Sequence, residues 1–223
     1  MKKPLVLLAA LLAASPFALA KEAGPAPDPA PLTPFSIGAY LSYWNVEDLD
    51  EFDIGGAFGA GVAGRFRLHD FLSLELRLSG YAAGDSEEVF IEGEGWFDNE
   101  ITVVAMPMEA GVLVCLPVGE TVSLYGGGGI GFYLFDAQFR SEQGPWETTY
   151  DIELDDEGGW YAILGARAQM ARNVAFFVEG KYTWVETALK QSAEFLDGIG
   201  IEGIEPDLDF SGVAVNAGMI FTF

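Results

Sequence analysis

The stretch Asp209 to Phe223 (DFSGVAVNAGMIFTF) leaves few structural options. Val213, Val215, Ala217, Met219, Phe221 and Phe223 share one parity. Gly212, Ala214, Asn216, Gly218, Ile220 and Thr222 share the other. One side is apolar and ends in two aromatics, and the other is small or polar apart from Ile220. A repeat of two marks a strand. Alternation alone does not say whether the apolar side faces a protein core or lipid. What matters is how often the pattern recurs and what lies on the other face.

It recurs seven more times. Phe35, Ile37, Ala39, Leu41 and Tyr43 form one apolar side, and Phe58, Ala60, Val62, Gly64, Phe66 and Leu68 a second. Leu72, Leu74, Leu76 and Leu78 alternate with Ser73, Glu75, Arg77 and Ser79. Further strands are expected over about 101–116, 122–134, 160–170 and 176–184. The connections alternate long and short. The short ones, at 69–71, 117–120 and 171–173, are tight turns. The long ones, 46–53, 84–100, 136–158 and 186–209, are acidic and are expected to be loops. In an up-and-down barrel every other connection leaves from the same end, so the long segments gather on one rim.

That arrangement reconciles two features of the composition. Half the residues are hydrophobic and 13% aromatic, yet the formal charge is −23. The four long segments hold 27 of the 34 carboxylates, so charge sits at one end and apolar side chains band the middle. Nucleic acid is disfavoured as a partner, because it requires a basic patch. Lys2 and Lys3, the apolar run 5–14 and the small-x-small triplet Ala18-Leu19-Ala20 read as a secretory signal peptide over 1–20. Cleavage after Ala20 leaves nine basic residues against 34 acidic ones. Residues 21–34, with five prolines, read as an extended lead-in, and 35–223 as the barrel domain. Cys115 is the single cysteine, so no disulfide framework or cysteine-based metal site is expected. After residue 20 no apolar run approaches 18 residues, so any membrane crossing is made by strands.

The face opposite the apolar one carries Arg65, Arg67, Arg77, Arg167 and Lys181 beside Glu75, Glu109 and Glu179, among small residues. A lipid-facing Arg at mid-membrane costs about 2–4 kcal/mol, so in a bilayer these side chains must point inward. A three-residue turn at 69–71 would set Arg65 opposite Glu75, with Arg67 and Arg77 one pair away, and Glu179 is expected within reach of Arg167. Phe35, Tyr43, Phe58, Phe66, Phe132, Trp160, Phe176, Tyr182, Trp184, Phe221 and Phe223 cluster at strand ends, as interfacial girdles do. Eleven aromatics are not expected to fit inside so small a barrel.

The leader, the eight alternating strands and the ending Gly212-Val213 … Gly218-Met219-Ile220-Phe221-Thr222-Phe223 resemble the small outer-membrane β-barrel (OmpA-like, porin family) superfamily. Leu124-Tyr125-Gly126-Gly127-Gly128-Gly129-Ile130-Gly131-Phe132 and Phe177-Val178-Glu179-Gly180-Lys181-Tyr182 add to the resemblance, which spans 35–223. It implies an all-β, eight-stranded antiparallel up-and-down transmembrane β-barrel in the outer membrane of a Gram-negative-type cell, with periplasmic termini. It also implies that the terminal strand, with Phe221 and Phe223, is read by the outer-membrane assembly machinery. No soluble domain follows Phe223, so the peptidoglycan-binding module of larger relatives is expected to be missing.

Other motifs are weaker. Gly59 to Gly64 and Gly126 to Gly131 match G-x-G-x-x-G, but inside strands and with no helix following, so they are expected to make room for lumen side chains. The acidic groups Asp48, Asp50, Asp53; Asp151, Glu153, Asp155, Asp156, Glu157; and Asp207, Asp209 lack calcium-loop spacing. A solvated, self-repelling rim is the expectation, with loose association of divalent ions that bridge lipopolysaccharide as the alternative; no dedicated metal site and no cofactor are expected. His69, the one histidine, falls in a short turn away from the long loops, so no catalytic arrangement is expected. The expected role is a monomeric structural or surface-interaction barrel in outer-membrane lipid, its lumen plugged by charges. The alternative is a narrow passive channel for small solutes.

Overall fold

The computed structural model describes residues 34–46, 55–91, 95–143, 146–188 and 207–223. The leader, the lead-in up to residue 33 and the carboxylates Asp48, Asp50 and Asp53 lie outside the described residues. The strands are β1 (Phe35–Val46), β2 (Ala57–His69), β3 (Leu72–Ile91), β4 (Gly95–Pro117), β5 (Val122–Gln143), β6 (Trp146–Ile152), β7 (Glu157–Ala171), β8 (Val174–Trp184), β9 (Glu186–Ala188), β10 (Asp207–Asp209) and β11 (Gly212–Thr222). Eight of them close a barrel in the order β1-β2-β3-β4-β5-β7-β8-β11, every pair antiparallel. Closure joins the two ends of the barrel chain. Ser36 lies opposite Thr222 and Val46 opposite Gly212, and the Phe223 N–H donates to the Phe35 carbonyl at 3.2 Å.

Each strand turns its apolar parity outward. Leu41 and Phe58 are 72% and 71% exposed, while Tyr40, Ser42 and Trp44 between them are buried. The outward aromatics fall in two rings. Phe35 and Phe66 are cross-strand partners at one level, and Tyr43 and Phe58 at the other, eight residues along each strand. Phe176 and Trp184 repeat the spacing on β8. Eight residues rise about 26 Å, or about 20 Å along the axis at a usual strand tilt, which suits a transmembrane band. A closed barrel with this band and two girdles is built for lipid outside.

Three features differ from expectation. First, 84–100 and 136–158 are largely strand rather than loop. β3 and β4 stay paired up to Ile91↔Gly95, and β5 continues to Gln143, where β6 folds back along it. Once the barrel sets the register, β-formers such as Phe90, Trp96, Phe97, Phe139, Thr148, Thr149 and Tyr150 carry the ladder on above the girdle. Second, the turn between β2 and β3 holds two residues, Asp70 and Phe71, with a bulge between Arg67 and His69. The bulge restores the phase, so Arg65 still faces Glu75. Third, the eleven outward aromatics do lie outside, but among the described residues the interior holds ten others: Tyr40, Trp44, Tyr81, Tyr125, Tyr133, Phe135, Phe139, Tyr161, Phe177 and Phe210. They fit because glycines face them. A Cβ on Gly61 would come within 2.5 Å of the Tyr40 ring, and one on Gly131 within 2.7 Å of the Tyr133 ring. That is the use of the glycine runs.

Candidate functional site: a charged lumen

The alternation that turns one apolar face outward on β2, β3, β4 and β8 turns Arg65, Glu75, Arg77, Glu109, Glu179 and Lys181 inward. All six are buried, and they count three cations against three anions. Register brings them together. Arg65 faces Glu75 across β2 and β3, and Arg77 faces Glu109 across β3 and β4. β8, on the far side of the lumen, supplies Glu179 and Lys181.

The contacts form one connected network. Arg65 Nε donates to Glu75 Oε2 at 2.6 Å, and its Nη2 reaches Glu179 Oε2 at 3.4 Å. Arg77 bridges three carboxylates: Glu75 at 3.4 Å, Glu109 at 3.9 Å, and Glu179, to which Nη2 donates a close bond. Lys181 Nζ donates to Glu109 Oε1 at 2.6 Å. Neutral donors complete the shell. Tyr125 OH donates to Glu179 at 2.6 Å, Tyr133 OH to Glu109 at 2.9 Å, and Asn216 Nδ2 to Glu179 at 3.0 Å. The Arg65 guanidinium lies over the Tyr125 ring at 4.6 Å and that of Arg77 over Tyr40 at 4.7 Å. A charge buried away from water is tolerated only when paired and hydrogen-bonded, and here each has several partners.

The other two candidates are placed apart. Arg67 and Arg167 lie toward the short-turn rim, half-buried, opposite Ser73 and Ser123. Arg167 does not pair with Glu179: it donates to Ser123 Oγ at 3.3 Å, while Glu179 is taken up by Arg65 and Arg77. The register explains this, since Glu179 lies across from Gly165, one inward position further up β7 than Arg167. Phe221 faces outward near the short-turn rim opposite Ile37, and Phe223 ends the chain there, exposed. His69 is at the same rim, its ring centroid 4.4 Å from that of Phe71.

Above the network, toward the long-loop rim, the interior turns apolar. Trp44, Val103, Phe135, Phe139, Ile152, Leu154, Val185 and Phe210 belong to one buried cluster. Composition does not announce this cap, because three of these eight, Phe139, Ile152 and Leu154, come from a segment that reads as a polar loop. The signal that was present is the inward parity of β5 continuing through Phe135, Ala137 and Phe139. Sequence pattern does not single out the lumen tyrosines or Asn216 either. They carry no charge, and only the register shows which carboxylate each one meets.

The profile of the Outer membrane protein beta-barrel domain family matches residues 5–221. No curated protein matches the chain by sequence. Among solved structures, the barrel is similar to the outer membrane protein OprG from Pseudomonas aeruginosa, at 13% identity and a TM-score of 0.58 over 86% of this chain and 96% of that one. It is also similar to Neisserial surface protein A (NspA), at 12% identity and a TM-score of 0.50 over 87% of this chain and 100% of that one. These likenesses concern the fold. A closed eight-stranded barrel with a lipid-facing apolar band, matched by that profile over nearly its whole length, belongs to the outer membrane protein β-barrel domain family and is an outer-membrane protein.

Proposed function

We propose that the protein is a non-conducting, monomeric surface barrel that displays acidic β-extensions outside the cell, exported by the leader over residues 1–20. The observation that carries this reading is the mutual pairing of all six buried lumen charges, three of each sign, beneath an apolar cap. A solute would have to part Arg77 from three carboxylates and then pass Trp44, Phe135 and Phe210. Breaking one partner from a buried pair costs about 3–5 kcal/mol, too much for frequent opening. A role outside catalysis is supported by the place of His69 at the short-turn rim, remote from the extensions.

The partners that fit are those of the surroundings. Phe221 and Phe223 would be read by the assembly machinery during insertion. The acidic rim would meet lipopolysaccharide through loosely held divalent cations. A second reading, the narrow channel, draws support from Glu109 Oε2, Tyr161 OH and Thr183 Oγ1, which are buried without hydrogen-bond partners and suit a hydrated path. Planar-bilayer recording separates the two. The plugged reading expects closed traces from the wild type and openings only when Glu75→Gln or Arg77→Gln disrupts the network. Stable wild-type openings that either substitution abolishes would overturn it.

A further inference from the structure

The six core charges balance, which leaves Arg67 and Arg167 over. Both face the lumen at the periplasmic mouth, and among the described residues neither forms an ion pair. The side chains around them are donors. Ser73 lies opposite Arg67, Ser123 opposite Arg167, and the Ser36 and Thr222 hydroxyls are 3.1 Å apart on β1 and β11. A cavity of about 40 Å³ is lined by Ser36, Arg67, Ser73, Ser123 and Arg167, with Cys115 on its wall. Arg65 and Tyr125 line it too, but both are already bonded to carboxylates of the core. Among the described residues, the one carboxylate that borders the cavity is Asp70 in the turn, and it is exposed and forms no ion pair.

We infer that the periplasmic mouth of the barrel is a receptor for a small oxyanion, held between the Arg67 and Arg167 guanidiniums and the hydroxyls of Ser36, Ser73 and Ser123. Guanidiniums donate in a planar fork that matches the oxygens of sulfate, phosphate or carboxylate. Half-burial strengthens the attraction compared with open water, because screening is weaker there. A cavity with room for about three waters suits an inorganic oxyanion or a single carboxylate, and excludes sugars and nucleotides. Two sources share this chemistry: free oxyanion from the periplasm, and the carboxylates of Glu22 and Asp28, which precede Pro34 at the cavity edge in the chain. The site is independent of whether the lumen above it conducts.

The test is a sulfate titration of the chain from Lys21 onward, refolded in lipid nanodiscs, with chloride keeping the ionic strength constant. The arginine side-chain Nε–Hε resonances are the readout. Those of Arg67 and Arg167 are expected to shift saturably, while that of Arg172, exposed in a turn at the same rim, stays put. Arg167→Gln should weaken sulfate at least tenfold and Arg67→Gln comparably, with a heat-modifiable gel band confirming that each variant is folded. Should Arg167→Gln fail to fold, Arg167→Lys serves, with binding weakened but kept. Removing residues 21–33 locates the source. Unchanged affinity means free anion, and tighter binding means that the chain's own carboxylates compete; both agree with the receptor. Cys115 provides a second reading, since sulfate should slow its modification by an anionic thiosulfonate reagent about tenfold. Shifts at Arg67 and Arg167 that never saturate, or that match those of Arg172, would overturn the inference.

Discussion

Single residues in this protein are judged by which side of the barrel wall they stand on. Leu78 pairs with Val62 midway between the girdles and is exposed. On a soluble surface Leu78→Arg would be close to neutral. Here it should destabilise the barrel by about 2–4 kcal/mol, read from urea unfolding in lipid vesicles. On the inner wall the hierarchy reverses. Glu75 is 1% exposed and accepts from both Arg65 and Arg77, so Glu75→Ala leaves three buried cations against two carboxylates and should cost about 3–5 kcal/mol. An unchanged unfolding midpoint would contradict the network. At Gly165, where a Cβ meets both the Tyr125 ring and Glu179, Gly165→Val should destabilise by about 1–3 kcal/mol, measured the same way. The inward charges were legible from the sequence because charge cannot face lipid. The Arg65–Glu75 pair was legible too, but the sharing beyond it was not, as Arg167 shows: its neighbours depend on β5 and β8 together.

At the scale of the element, the eight barrel strands could be read from parity alone, and their ends could not. Hydrophobic alternation stops being informative above the girdle, where both faces meet water or a small apolar cap. There the ladder continues because its backbone groups already have partners. The β3–β4 extension is therefore expected to be an appendage. Replacing residues 87–99 by Asn-Gly between Ser86 and Glu100, which are cross-strand partners, should leave insertion and the heat-modifiable gel shift intact. Loss of insertion would show that the extension is part of the folding unit. β11 is the opposite case. It closes the barrel against β1 over eleven register pairs, so Phe221→Ala with Phe223→Ala should slow assembly into vesicles severalfold, followed by the growth of the folded gel band.

On the scale of the whole molecule, charge is sorted along the barrel axis. Among the described residues, carboxylates crowd the long-loop end, the core is balanced, and the short-turn mouth keeps Arg67 and Arg167 outside any ion pair. The apolar band needs lipid or detergent to cover it, so refolding into a heat-modifiable form should succeed in micelles and fail in plain buffer. A soluble, compact species in buffer would contradict the outward band.

Local pattern was enough for the eight barrel strands, their parity, the outward apolar face and the sorting of acid to one rim. All of these follow from local periodicity and from the cost of placing charge in hydrocarbon. Tertiary structure decided how Glu179 is shared, the bulge that keeps Arg65 opposite Glu75, the glycine seats for the lumen tyrosines, and the apolar cap. Each of these depends on residues from strands far apart in the chain, brought level only by the barrel's register. That separation carries from the terminal strand to the lumen: local pattern sets which way a side chain points, and closure sets what it finds there.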